Sequence, residues 1–390
     1  MKVETILCMN TGDGESSYAN NSLVQELATR RVLPILRYAI KGIANQDILF
    51  KDECFKIADM GCSSGKNTLL VVSSIIDIVY EMYTKNNREA PAFQVCLNDL
   101  YGNDFNHLFK LMPDFYAKIR KGKKENFGPC FVSAVPGSFY TRLFPEQSLH
   151  IVYSSYSVQW LSQVPQGLGE NKLNLYITKT SPPKVIQAYQ QQFHWDFTTF
   201  LKMRSKEIVP GGKMVLAFPA RSINDPTSDD CCSLWELLAQ SLLDMAKKGL
   251  VQQSDIMSFN MPFYYPCEGE VRKLIKNQGS FSLDKLNVFQ VNWDPYDTDY
   301  TSIKDSSESS YIHGKNAARI IRAVAEPFLK SHFGSSMIKE LFEKYEEHLA
   351  KHLVNKKTRH FTIAISMTKK VNNIDIVGLC DLECDMASAD

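Results

Sequence analysis

The chain has 390 residues, 44% of them apolar and 22% charged, with 44 Lys plus Arg against 43 Asp plus Glu. Those are ordinary values for a folded soluble protein, and a net charge of +1 gives no bulk electrostatic case for nucleic acid. No apolar run approaches the roughly 18 residues of a membrane span, and the polar amino terminus lacks the basic and apolar regions of a signal peptide. None of the 10 cysteines forms a CxxC pair, and several sit in apolar runs, where a thiol packs as a small hydrophobe. A reducing, cytoplasmic location is the expectation.

In chain order, Leu23 to Ile43 is the first amphipathic helix pattern. Phe55 to Met60, Phe93 to Leu97, Phe131 to Val135 and Leu149 to Ser154 read as buried strands. Helical spacing over Asn67 to Tyr83 and Asn103 to Leu111 separates the first three. Lys213 to Phe218 is a fifth strand, entered from the turn signal "VPGG". Phe281 to Trp293 and Phe361 to Met367 are late strands. Asp230 to Lys248, Glu268 to Asn277, Ala317 to Phe328 and Ser336 to His352 read as additional helices. Alternating strand and helix predicts an α/β fold with a mostly parallel sheet covered on both faces; the surplus helices predict a cap over one end. Asp294 to Ser310, rich in Asp, Ser and Thr, reads as a mobile loop. The tail after Lys370 has no pattern and is expected to be disordered.

The junction "FKIADMGCSSGKN" lies between a strand and a helix. Gly61 and Gly65 there permit a tight turn and close approach of a ligand to the backbone. The spacing is neither GxGxxG nor GxxxxGK[ST], which argues against a phosphate cradle. Asp59, just before the first glycine, suits a ligand that carries an ammonium group. Asp99 ends the second strand, where a carboxylate can accept from both hydroxyls of a ribose. A nicotinamide enzyme would use a similar layout, so these residues alone do not choose the cofactor. His150 sits within a strand pattern and reads as structural; His194, in "QFHWDF", fits a surface or dimer role equally well. No triad of nucleophilic catalysis and no zinc-ligand spacing is present.

Longer motifs carry a resemblance. "ETILCMNTGDGESSYANNSLVQ", "IADMGCSSGKNT", "LNDLYGNDFN", "VPGSFYTRLFP", "SSYSVQWLSQVP", "ITKTSPP", "EIVPGGKMVL", "LWELLAQSL", "SFNMPFYYP" and "RAVAEPFLKSHFG" occur in order. From about Met1 to Lys369 the chain closely resembles the plant SABATH methyltransferases, which methylate carboxylates such as salicylate, benzoate and jasmonate, or xanthine nitrogens in caffeine formation. The resemblance implies a class I, Rossmann-like S-adenosylmethionine-dependent methyltransferase core with a seven-stranded sheet and a helical cap, usually as a homodimer.

The implied organisation is an N-terminal closing segment and helix (1–50), the cofactor-binding core (51–220), cap helices with the acceptor pocket (221–280), a core strand (281–293), a loop with cap helices (294–358), the last core strand (359–370) and the tail (371–390). Carried over position by position, donor contacts would come from Tyr18, Asn21, Ser22, Asp59, Asn67, Asp99, Leu100, Ser138 and Phe139. The acceptor pocket would involve Gln25, Tyr156, Gln159, Trp160, Leu234, Trp235, Ile321 and Val324, closed by a residue near His360 or Phe361. Tyr156 and Trp160 would share a face if a short helix began there, and their rings could sandwich a planar acceptor. Gln25 and the Trp160 N–H would orient a carboxylate that needs no general base. The family's Mg²⁺ position matches Asn171, Phe259 and Asn260, but Met257 stands where many relatives have an aspartate, and Asp255 could replace it only after a register shift. That loss of a hard oxygen ligand puts the metal in doubt.

Gln159 replaces the methionine typical of salicylate-specific relatives. It implies an acceptor with a polar ring substituent or ring nitrogen, such as an anthranilate-like or nicotinate-like acid. N-methylation of a xanthine is the main alternative, and a jasmonate-like acid a further one.

Overall fold

A computed structural model describes residues 3–371, apart from 45–47, 124–126, 298–306 and 357. The tail and most of the loop expected at 294–310 lie outside the described residues. Seven strands form one sheet: β1 (Cys54–Met60), β2 (Ala92–Asp99), β3 (Cys130–Pro136), β4 (Leu149–Ser155), β5 (Ile208–Ala220), β6 (Phe281–Asn292) and β7 (Arg359–Lys369). Their order is β3-β2-β1-β4-β5-β7-β6. Pairing is parallel from β3 to β5, and β7 runs antiparallel to both its neighbours.

Among the described residues ten α-helices accompany it: α1 (Leu23–Ala44), α2 (Lys66–Lys85), α3 (Phe105–Lys110), α4 (Met112–Arg120), α5 (Pro183–Glu207), α6 (Asp229–Lys247), α7 (Gln253–Ser258), α8 (Glu268–Gln278), α9 (Ser307–Phe333) and α10 (Ile338–Asn355). Strand alternation sends successive side chains to opposite faces. Phe55 and Ile57 of β1 pack with Leu36, Val72, Ile76 and Phe115 of α1, α2 and α4. Ala58 and Met60 join the opposite core, with Phe193, Phe197 and Phe200 of α5 and with the α6, α9 and α10 side chains. Both faces of the central strands are therefore buried, which is why those strands read as nearly continuous apolar runs.

Five sequence expectations need correction. The strand expected to be buried at Phe131 to Val135 is the edge strand β3, only partly buried, with Phe131 exposed. The single helix expected at Asn103 to Leu111 is α3, followed at once by an unanticipated α4. The whole of α5 went unread. Residues 209–212, expected to be a turn, belong to β5: the pairing register shifts between Leu149 and Ile151, and Gly211 at φ +80° lets the chain make that irregularity without leaving the sheet. Ser307, expected in the loop, already opens α9.

Candidate active site

The carboxyl ends of the strands meet a cavity holding about 1220 Å³ of empty space, measured out to its open mouth. It follows the sheet edge in spatial order, from Asp99 after β2 through Gly61 after β1, Tyr156 after β4 and Pro219 on β5 to His360 on β7. This is where open α/β sheets bind ligands. Residues of the N-terminal segment, including Leu7, Met9 and Tyr18, form one wall. That segment is strapped to α9: the Asn10 N–H donates to the Ala323 carbonyl at 2.8 Å, and Arg319 pairs with Glu15.

At the β1–β2 end the loop is tightly determined. Gly61 sits at φ +73°, and a Cβ there would lie 2.2 Å from Ser157 Oγ, so only glycine fits. Gly65 does not share that need: at φ −97° it caps α2 in an ordinary conformation. Ser63, at φ +53°, is the second left-handed residue, and its N–H donates to Asp99 Oδ2 at 2.7 Å. The Leu100 N–H donates to Asp99 Oδ1 at 2.7 Å. Burial pushes Asp99 up to about 6 against these two hydrogen bonds. Asp59 is buried and accepts from Thr68 Oγ1 at 2.6 Å. Burial pushes it up to about 7; the Thr68 bond opposes that shift and the nearby Asp99 charge adds to it.

Of the expected donor contacts, Tyr18, Asp99, Leu100, Ser138 and Phe139 line the cavity. Asn21, Ser22, Asp59 and Asn67 are not among its lining residues. The Asn21 amide donates to the Glu15 and Ser17 carbonyls, and Asn67 Nδ2 donates to the Ser22 carbonyl at 3.0 Å. These three hold the bend that carries Tyr18, while Asp59 stands behind the glycine turn.

Of the residues expected to meet the acceptor, Gln25, Tyr156, Gln159, Trp160, Trp235, Ile321 and Val324 line the cavity. Leu234 and Phe361 do not. Leu234 is one helical step, about 100°, away from Trp235, and its carbonyl accepts from Tyr345 Oη at 3.0 Å. Phe361 lies on the opposite face of β7 from His360, so His360 is the lining residue. The stretch from Tyr156 to Trp160 is a turn, so the condition of a short helix there is not met. Tyr156 has φ +57°, a strained conformation for a bulky residue. It is held by its N–H on the Ala217 carbonyl at 2.7 Å and its hydroxyl on Thr362 Oγ1 at 2.7 Å. Trp160 bridges to Phe263 and meets that ring edge-on at 4.9 Å.

The orientation of Gln159 is informative. Its Nε2 donates to the Tyr156 carbonyl at 2.5 Å, and its buried Oε1 has no partner. The reverse amide orientation would set two oxygens against each other, so the amide has one sensible placement. One of its two amide hydrogens is spent on the turn, and the unpartnered Oε1 is a free acceptor. The buried Gln25 Oε1 is likewise without a partner.

Several supporting residues were missed with α5. Asp196 accepts from Ser162 N at 2.8 Å and from Ser162 Oγ at 2.7 Å, fixing the chain just past Trp160. Arg204 and Glu207 form a fully buried pair at 2.6 Å. Arg204 donates to the carbonyls of Phe139 and Thr141, and Glu207 accepts from Leu143 N and Phe144 N. Together they secure the loop that presents Ser138 and Phe139. Phe263 and Tyr265, within the quoted "SFNMPFYYP", also line the cavity. Their aromatic character was the only signal.

The positions matched to Mg²⁺ do not fit a cation. Asn171 Nδ2 donates to Asn260 Oδ1 at 3.1 Å, and Ser181 Oγ donates to Asn171 Oδ1 at 2.7 Å. Both amide oxygens are engaged by protein donors. Phe259 packs on Phe328, His332 and Phe333, while Met257 is exposed. Among the described residues no three His, Cys, Asp or Glu side chains are placed to hold a metal, and no helix is long and apolar enough to cross a membrane. His150 is structural: its Nδ1 accepts from Lys56 N at 3.0 Å and its Nε2 meets Asp52 at 2.8 Å.

Comparison with known proteins agrees with this arrangement. Residues 4–370 match the family described as SAM dependent carboxyl methyltransferase. A benzoic acid/salicylic acid carboxyl methyltransferase of Petunia hybrida is 46% identical over 95% of this chain and 99% of its own. A probable jasmonic acid carboxyl methyltransferase of Theobroma cacao is 43% identical over 95% and 100%. The solved structure of a loganic acid methyltransferase with SAH superposes with a TM-score of 0.80 at 30% identity, covering 93% of this chain and 99% of that one. With a family match over residues 4–370, nearly full-length similarity and a shared fold, the chain belongs to the S-adenosylmethionine-dependent carboxyl methyltransferase family.

Proposed function

We propose that this enzyme transfers the donor's methyl group to the carboxylate of a small planar acid, giving a methyl ester. One observation carries the reading: a single cavity joins the Asp99 end to an aromatic acceptor end, where the side chains that line it beside the ring are the amides of Gln25 and Gln159, the indoles of Trp160 and Trp235, the hydroxyls of Tyr156 and Tyr265, whose ionisation burial opposes, and the imidazole of His360, which burial pushes down to about 4 and so keeps neutral. None is a strong base. A carboxylate, with a reference pKa of ~4, is ionised at neutral pH and needs none. One oxygen attacks the methyl carbon in line, the S–C bond breaks, and the electron pair leaves on sulfur as a neutral thioether. No proton moves.

In this reading Asp99 accepts from the ribose hydroxyls, Asp59 supplies negative charge near the donor's cationic groups, and Ser138 and Phe139 meet the adenine. The turn strapped by Asn21, Ser22 and Asn67 presses Tyr18 onto the donor. Gln25 Nε2 and the Trp160 N–H orient the carboxylate, which would be costly to bury without donors. Tyr156, Trp160, Trp235, Ile321 and Val324 hold the ring flat. Gln159 Oε1 then favours a ring that bears a donor, an amino or hydroxyl group, over one offering only a lone pair. An anthranilate-like acid fits that better than a nicotinate-like one. A xanthine also carries N–H donors that Gln159 Oε1 could accept from, so xanthine N-methylation is the second reading. The same reading includes a homodimer and a cytoplasmic location; the eight described cysteines are all free thiols.

The test is a methyl-transfer assay with labelled donor across benzoate, salicylate, anthranilate, nicotinate and 7-methylxanthine. Anthranilate or salicylate should lead in kcat/KM. A lead for 7-methylxanthine would replace the first reading with the second.

A further inference from the structure

Just past the end of β6 stands a buried carboxylate to which the methyl-transfer reading gives no task. Asp294 is 3% exposed. Its Oδ1 accepts from the Tyr296 N–H at 2.9 Å. Its Oδ2 accepts from His313 Nδ1 at 2.5 Å and from Asn316 Nδ2 at 3.1 Å. A carboxylate only accepts, so the imidazole proton that faces it sits on Nδ1. Hydrogen bonds to a charged acceptor are stronger than neutral ones, and a buried carboxylate stripped of its donors is costly.

His313 and Asn316 lie in the first half of α9, three residues apart and so on one face. A neighbouring face of the same turn is pressed onto α10: a Cβ on Gly314 would lie 2.6 Å from the Ala350 nitrogen. Helix α9 is therefore gripped here from two sides. The stripe through His313 and Asn316 continues to Ile320 and Val324. At 1.5 Å per residue these stand roughly 6 and 12 Å beyond Asn316 along the helix. Both line the cavity, with Ile321 beside them. Ile320 also shares an apolar cluster with Val291 of β6, three residues before Asp294. The clamp and the pocket wall are parts of one short unit.

We propose that Asp294 is a positioning residue for methyl transfer: by holding His313 and Asn316 it sets the rotation of α9, and with it how closely Ile320, Ile321 and Val324 press on the acceptor. This rests on the reading that the cavity takes a carboxylate acceptor, and deepens it by naming what holds one wall. Side-chain tips lie about 5–6 Å from a helix axis, so a turn of about 10° moves them about 1 Å. A gap of that size forfeits roughly a quarter to a half of each van der Waals contact. Packing of this kind acts alike on ground and transition states, so its loss raises KM more than it lowers kcat.

Steady-state kinetics of the full chain on benzoate test it. Asp294→Ala should raise the benzoate KM tenfold or more, with kcat, per site titrated with the demethylated donor, within threefold of wild type. Asp294→Asn, which keeps a side-chain oxygen for His313 or Asn316, should recover most of the loss. The dissociation constant of the demethylated donor should stay within threefold, because Asp99, Ser138 and Phe139 are not carried on α9. A KM within twofold of wild type in Asp294→Ala, or donor and acceptor weakened alike as in a general loss of structure, overturns the assignment. Should Asp294→Ala not fold, Asn316→Ala, which removes the longest of the three bonds, decides in its place: a KM raised threefold or more supports the assignment, and one within twofold overturns it. If the wild type methylates 7-methylxanthine and esterifies no acid, the carboxyl reading falls, and the same comparison made on 7-methylxanthine still tests Asp294.

Discussion

Donor binding should expel protons. Burial holds Asp59 at about 7 and Asp99 at about 6 in the unliganded protein, above the reference of ~3.9. Both shifts favour the neutral acid. The donor's sulfonium and ammonium groups, and the ribose hydroxyls, favour the carboxylate instead. The linkage therefore has one sign: affinity is full where both groups are already ionised and is lost as pH falls through their unliganded pKa values. At pH 7.0 the donor's own α-amino group, near ~7.7–8.0 in reference compounds, remains mostly charged. Between pH 7.0 and 5.5 the ionised fraction drops about fourfold for Asp99 and about sixteenfold for Asp59. Affinity should fall by about fourfold if only Asp99 must be charged, and by about sixtyfold if both must be. Calorimetry at the two pH values gives the ratio, and repeating it in buffers of different ionisation enthalpy gives the protons released. Asp59→Asn should leave only the smaller dependence. A dissociation constant that changes less than twofold, or proton uptake on binding, would refute the reasoning.

Asp99→Ala should weaken S-adenosylmethionine binding at least tenfold, about 1.4 kcal/mol; an unchanged constant in the folded variant removes it as the ribose ligand. Gln159→Met should lower the anthranilate-to-benzoate kcat/KM ratio tenfold or more, about 1.4 kcal/mol of differential transition-state binding, and a ratio within twofold of wild type would show that Gln159 does not read the ring. Arg204→Ala strands a buried carboxylate and should cost about 3–5 kcal/mol in urea unfolding; a loss below about 1 kcal/mol would mean that Glu207 finds another partner. Chelation of divalent ions should leave kcat unchanged, because the Asn171 and Asn260 oxygens are already engaged; inhibition reversed by added Mg²⁺ would contradict that fit.

The central strands were legible because each is a short apolar run buried on both faces, and β1 and β2 also end at Gly61 and at Asn98 and Asp99. Helix α5 was not, although Val185, Tyr189, Phe193, Phe197 and Leu201 recur every four residues. Its run of glutamines and its charged Asp196, Arg204 and Glu207 resemble a solvated segment, and only the fold reveals that all three charged residues are buried. Pocket residues were legible to within a neighbour. Choosing Trp235 over Leu234 needs the rotation of α6, and choosing His360 over Phe361 needs the pairing of β7 with β5 and β6. The polar character of Gln159 was visible in the sequence, but which end of its amide faces the ligand depends on the Tyr156 carbonyl, a detail of one turn.

Carboxyl methylation is tested most directly by the chemistry of the product. After turnover with donor labelled in its methyl group and an acid such as anthranilate, mild alkali should release the label as volatile methanol, because an ester is cleaved. Label that remains on the ring nitrogen or another non-hydrolysable position would contradict the account.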